Sequence, residues 1–106
     1  MITAIVRFKL PESVKLADAE KLFQTSAPKY EGLAGLVRKY YIFDETTHTG
    51  GGVYLWESRS AADKVYDAAW KAMIAERYGA PPEISFFESP VIVDNAQPKS
   101  RAAAAQ

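Results

Sequence analysis

The sequence predicts an α+β fold of the ferredoxin-like type: a β-α-β-β-α-β order, with a four-stranded antiparallel sheet and two helices on one face. Three observations lead there. Four runs carry the alternation and β-branched or aromatic content of strands. Two stretches with helical spacing separate the first run from the second and the third from the fourth. A short polar segment of turn composition joins the middle two. Right-handed crossovers then put the first and third strands in the middle of the sheet and the second and fourth at its edges.

The first strand, residues 2–10, sets Ile2, Ala4, Val6, Phe8 and Leu10 on one side and Thr3, Ile5, Arg7 and Lys9 on the other. Pro11 ends it. Residues 14–30 keep helical spacing through Leu16, Ala19, Phe23, Ala27 and Tyr30, and Pro28 requires that helix to kink or finish near its end. In the second strand, residues 36–43, alternation groups Leu36, Arg38, Tyr40 and Ile42 against Val37, Lys39, Tyr41 and Phe43. The polar segment 44–49 turns the chain into a third strand, residues 50–58, which opens on Gly50-Gly51-Gly52, a run suited to tight turning and close backbone approach.

Ser60-Ala61-Ala62-Asp63 has the capping-box pattern and begins a second helix with an apolar stripe at Ala62, Val65, Tyr66, Ala69 and Met73. Arg77 and Gly79 suit its end, and Pro81-Pro82 stop it. Residues 84–93 form the last strand, with Phe86 and Phe87 on opposite faces and Pro90 confining it to an edge. Residues 1–95 thus make one domain, and 96–106, ending in an alanine run, read as a flexible tail.

With 106 residues, of which 48% are apolar and 12% aromatic, the chain has material for one core. Its 13 basic residues are scattered and balance 13 acidic ones, which argues against nucleic acid as a partner. Cysteine is absent, so disulfides and thiolate chemistry are excluded. No signal-like start or membrane-length apolar run is present; a cytoplasmic protein without membrane contact is expected. Because all four strands carry apolar groups on both sides, the sheet face away from the helices needs a cover, and a second copy of the chain supplies one.

Gly35-Leu36-Val37 with Lys39, the strand opening Gly51-Gly52-Val53-Tyr54-Leu55, the step Glu57-Ser58 and the alanine-containing second helix resemble the dimeric α+β barrel superfamily, most closely the YdhR-like monooxygenase family. The resemblance covers roughly residues 2–95. It implies a homodimer with a pocket between sheet and helices, and cofactor-independent oxygenation of a small aromatic or polyketide-like molecule. Other relatives degrade haem with an asparagine on the first strand and a histidine on the second helix, and this chain has neither there.

Other chemistries find few supports. His48 is the only histidine and falls in the polar turn, where a solvated loop residue is expected; with Asp44 and Glu45 it is a poor ligand set, so no metal is expected. Ser58, Ser60 and Ser85 lack a second histidine as base, and Glu57 and Glu88 sit near strand ends as edge charges. The glycine run leads into a strand and lacks a phosphate loop's lysine and hydroxyl.

An aromatic lining with a few cations remains. Arg38, Tyr40 and Trp56 are the candidate catalytic residues, and Arg7, Tyr54, Tyr66, Trp70 and Phe86 the candidate substrate-binding ones. Oxygenation without a cofactor requires the substrate itself to give electrons to dioxygen, so the protein must hold an electron-rich ring in a dry pocket and stabilise its anion. The alternative expectation is a non-catalytic ligand-binding or stress-associated homodimer using the same pocket, with these aromatics serving as core and dimer contacts.

Overall fold

The computed structural model describes residues 1–96, so positions 97–106 of the expected tail lie outside the described residues. The elements are β1 (Ile2–Lys9), α1 (Leu16–Ser26), β2 (Leu36–Asp44), β3 (Thr49–Trp56), α2 (Arg59–Val65), α3 (Ala68–Tyr78) and β4 (Glu83–Glu88). The sheet runs β2-β3-β1-β4 with every neighbour antiparallel. This is the ferredoxin-like α+β architecture, with central and edge strands as the crossovers require.

Of the two faces of β1, the wholly apolar one is buried: Ala4, Val6, Phe8 and Leu10 meet Ala19 and Phe23 of α1 and Ile74 and Tyr78 of α3 in one core. Phe8 stacks on Tyr78 with centroids 4.3 Å apart, and Phe23 on Tyr41 at 4.8 Å. Arg77 ties the helices together, donating to the Leu22 carbonyl at 3.0 Å and to the Thr25 hydroxyl.

Several boundaries differ from the sequence reading. The first helix finishes at Ser26 and passes into a 3₁₀ turn, Ala27–Lys29, holding Pro28. The expected single second helix is two. Ser58, not Ser60, caps α2, accepting from the Ala61 amide at 3.1 Å, and Asp63 pairs with Arg59 instead of closing a capping box. The chain then leaves helical geometry at Tyr66, and Asp67 caps α3 by accepting from the Trp70 amide at 2.8 Å. A short carboxylate side chain competes with the helical backbone for amides, so Asp67 starts a new helix where one was expected to continue. The last strand ends at Glu88, before Pro90.

The glycine run lies within β3, and residues 45–48 make the turn. A Cβ at Gly51 would strike the Val6 carbonyl of the paired strand, and one at Gly52 would come within 3.0 Å of both the Lys39 stem and the Tyr54 ring. Glycine is there to let β1 approach and to leave room for a side chain arriving from β2.

β2 carries a bulge between Leu36 and Arg38. Leu36 is opposite Trp56 while Lys39 is opposite Tyr54, so both point toward the helices although strict alternation separates them. Arg38, Tyr40 and Ile42 go to the other face, with Ile5, Val53 and Leu55. Residues 89–94 return across that face. Ser89 Oγ lies 2.5 Å from Thr3 Oγ1, and Asp94 pairs with Arg38 on the far edge strand at 2.6 Å.

Candidate functional site

The eight residues singled out in the sequence fall into two groups on opposite sides of the sheet. Trp56, Tyr54, Tyr66 and Trp70 are buried, and Phe86 is half-buried, under the helices. Arg7, Arg38 and Tyr40 stand on the outer face, where Arg38 Nη1 donates to the Tyr40 hydroxyl at 3.2 Å. The three candidate catalytic residues are therefore not gathered in one place: Arg38 and Tyr40 are neighbours, and Trp56 lies across the sheet from them.

The inner group is a continuous stack of rings. Tyr54 and Trp56 lie parallel at 5.9 Å; Tyr66 meets Trp56 edge-on at 5.6 Å and Trp70 at 4.7 Å, and Phe86 closes the row at 5.9 Å from Tyr66. Their polar tips are paired. Trp56 Nε1 donates to the Tyr66 hydroxyl at 3.0 Å, and Trp70 Nε1 to the Tyr30 hydroxyl at 3.0 Å. Tyr66 stands at the break between α2 and α3, one turn after the buried Ala62 and on the same face. Burial pushes the Tyr54 and Tyr66 hydroxyls well above the ordinary phenol range, so both stay protonated and act as neutral hydrogen-bonding groups.

At the other end of the stack sits a residue the sequence reading did not single out as a site. Lys39 Nζ lies 3.5 Å from the centroid of Tyr30, 3.8 Å from that of Tyr41 and 4.6 Å from that of Tyr54. None of the ion pairs among the described residues includes it. Burial pushes its amine down to about 7. The three ring faces favour the ammonium, so they oppose burial without supplying a full counter-charge. The available signal was its parity with Tyr41 and Phe43 in β2, which places a cation on a face otherwise apolar.

The rings nearly fill the chamber between sheet and helices, leaving a cavity of about 20 Å³ bordered by Tyr30, Lys39, Tyr41 and Tyr54. Lys39 also borders a second cavity, of about 300 Å³, that opens at the β2 edge between Tyr30, Gly32, Leu36 and Arg38. A groove of about 620 Å³ lies further along, between α1 and β2, where Glu20 is its one charged lining residue. That groove is larger but is lined by neither Lys39 nor any of Trp56, Tyr66, Trp70 and Tyr30. His48, at the hairpin, is half-buried with φ 53° and a buried Nδ1 that has no partner among the described residues, unlike the solvated loop residue expected. No cluster of three His, Cys, Asp or Glu side chains able to hold a metal occurs among the described residues.

The subunit fold is ferredoxin-like, and the site is an aromatic chamber with a buried amine at its mouth. No protein-family model matches the chain, and no curated protein matches it by sequence. Solved structures do match. A candidate antibiotic biosynthesis monooxygenase from Deinococcus radiodurans superposes with a TM-score of 0.67 at 11% identity, over 89% of this chain and 97% of that one. The monooxygenase ActVA-Orf6 of Streptomyces coelicolor, solved with nanaomycin D, gives 0.63 at 17% identity over 87% and 89%. SnoaB, a cofactor-independent oxygenase from Streptomyces nogalater, gives 0.61 at 16% over 87% and 95%. At these identities the likeness concerns the fold. Among the described residues, no helix is long and apolar enough to cross a membrane.

Proposed function

We propose that the chain is a monooxygenase that binds a small aromatic or polyketide-like molecule and oxygenates it without metal or flavin, working as a homodimer. The observation that carries this reading is the stack from Tyr54 to Phe86, with the indole tips of Trp56 and Trp70 paired and Lys39, which lies over Tyr54, bordering a ligand-sized cavity. Support comes from SnoaB and ActVA-Orf6, whose fold is shared and which are, respectively, a cofactor-independent oxygenase and a monooxygenase solved with nanaomycin D. In such a reaction the substrate anion gives an electron to dioxygen, and the resulting radicals combine into a peroxide. After taking a proton the peroxide loses water, leaving a carbonyl where two hydrogens had been. Dry surroundings protect that sequence, and aromatic walls hold the ring.

The outer face supports the homodimer. Tyr40 and Phe87 are 56% and 53% exposed there, and Val91 and Val93 of the returning segment 80% and 79%, an apolar surface that a second copy would cover.

A second reading is a non-catalytic small-ligand binder. The near-filled inner chamber favours it, because a ligand held at the β2 edge does not reach Trp56 unless the rings part. Oxygen uptake during incubation with a panel of naphthoquinols tests the two. Uptake with one oxygen atom entering the product supports the monooxygenase, whereas saturable binding with no uptake leaves the binder.

A further inference from the structure

We propose that Lys39 is the proton acceptor and charge partner for an acidic phenol or enol bound in the β2-edge cavity, and so the base that generates the substrate anion. The assignment rests on the monooxygenase reading above and specifies the substrate class for the same site. In the step, the ligand O–H bond breaks and its electron pair stays on oxygen. The proton goes to the Nζ lone pair, giving an ammonium beside an oxyanion; no oxidant or reductant takes part.

Four features of the structure point to this role. Regular pairing of residues 38–44 with β3 puts Lys39 on the helix side with Tyr41 and Phe43, and the bulge at Leu36/Arg38 brings Leu36 to that same side beside it. Gly52 is bare where any side chain would displace the Lys39 stem. Among the described residues the amine has no carboxylate partner, so a negative charge brought by a ligand would be its counter-ion. Finally, Lys39 lines both the inner cavity and the 300 Å³ one, so its side chain is shared between them.

The groups around Lys39 suit a neutral amine that becomes charged on binding. Tyr30, Tyr41 and Tyr54 face it with their rings, a surface that favours an ammonium once one forms. Of the charged residues lining the two cavities, Glu31 and Arg38 belong to the outer one and Lys29 and Arg77 to the inner, and Arg77 is engaged with α1. Burial holds the free amine near neutrality, the range in which a base works best at physiological pH.

The probe is 4-nitrophenol, whose neutral and anionic forms absorb at different wavelengths, with 4-nitroanisole as the partner that has no proton to give. Titrations are run roughly one unit below the free phenol's pKa, on the wild type and on Lys39→Met, which keeps the stem's packing; thermal melts confirm that the variant is folded. The wild type is expected to bind the phenol as its anion and to prefer it to the anisole by about tenfold or more, and Lys39→Met to lose both properties. A bound phenol that stays neutral, an anion formed equally well by Lys39→Met, or no binding of the phenol would each overturn the assignment. Oxygen uptake is followed separately. An anion formed at Lys39 without any uptake from quinols keeps the base and removes the monooxygenase, while undiminished uptake by Lys39→Met keeps the monooxygenase and removes the base.

Discussion

Leu36 and Lys39 point to the same side of the sheet although three residues separate them along β2, because the strand bulges between Leu36 and Arg38. That irregularity brings Leu36 onto the face that Lys39 reaches through its regular pairing with β3. Without it Leu36 would turn outward and Lys39 would keep its place. Gly52 supports the arrangement from β3, so Gly52→Ala is expected to leave the sheet paired while displacing the lysine stem. In the Gly52→Ala variant, the β2-edge cavity should lose its preference for phenol over anisole, with the thermal midpoint lowered by only a few degrees.

Lys39 also gives stability a characteristic pH dependence. Its folded pKa of about 7 lies below the ordinary lysine value of 10.5, so between those limits the unfolded chain binds a proton that the folded one does not. Stability should therefore rise with pH from about 7 to about 10, with a slope of at most about 1.4 kcal/mol per unit from this residue. Tyr54 and Tyr66 act in the opposite sense above that range. Their folded pKa values are raised, so the unfolded chain loses protons first and stability falls. Urea midpoints measured across this range should show the rise and then the fall, and Lys39→Met should flatten the rise and keep the fall.

The fold was legible because its signals are periodic: the inward set of β1, the Ala19 and Phe23 spacing of α1 and the glycine-led β3 all follow from counting residues. What was not legible is where a period breaks. Val37 and Arg38 fit a regular strand as well as a bulged one, and Asp67 reads as a solvent-facing helical residue until its carboxylate is seen on the Trp70 amide. The candidate site inherits both uncertainties. The rings at Tyr54, Trp56, Tyr66 and Trp70 were recognisable as one aromatic set, but assigning Arg38 and Tyr40 to the same place required knowing which parity faces inward. Lys39 escaped notice because a lysine in a strand is ordinarily solvated.

The indole of Trp56 is fully buried, and its proton has one acceptor, the Tyr66 hydroxyl. Tyr66→Phe keeps nearly all the volume but leaves that donor unpaired, at a cost of about 1–3 kcal/mol. Trp56→Ala removes the largest fully buried side chain and should cost about 3–5 kcal/mol. Chemical denaturation of the two variants checks the order; a Tyr66→Phe protein as stable as wild type would show that the bond contributes nothing net.

Gly51→Ala should be worse than its size suggests. The added methyl meets the Val6 carbonyl, a backbone atom held in the β1–β3 pairing, so it has no flexible neighbour to move aside. We expect loss of the cooperative unfolding transition, or a midpoint lowered by ten degrees or more, on the order of 2 kcal/mol for a domain of this length. Circular dichroism during heating provides the measurement, with Gly32→Ala as a companion. Open space surrounds Gly32, so its substitution carries only the strain of a left-handed backbone at φ 69° and should cost less.

The outer face gives the last expectation, and it turns on area rather than on any one contact. Ile5, Val53 and Tyr40 form a row across three adjacent strands, and Arg38 with Asp94 fastens the returning segment beside them. If two copies meet there, a charge at Ile5 would be buried without a partner, whereas in a monomer it would meet water at modest cost. Ile5→Glu should therefore convert a dimer into a monomer at micromolar concentration while the isolated subunit keeps its helical content. Sedimentation velocity on the wild type and the variant reads this directly. A wild type that sediments as a monomer would remove the second copy from the proposal, and the apolar groups from Tyr40 to Val93 would then have to be covered in another way.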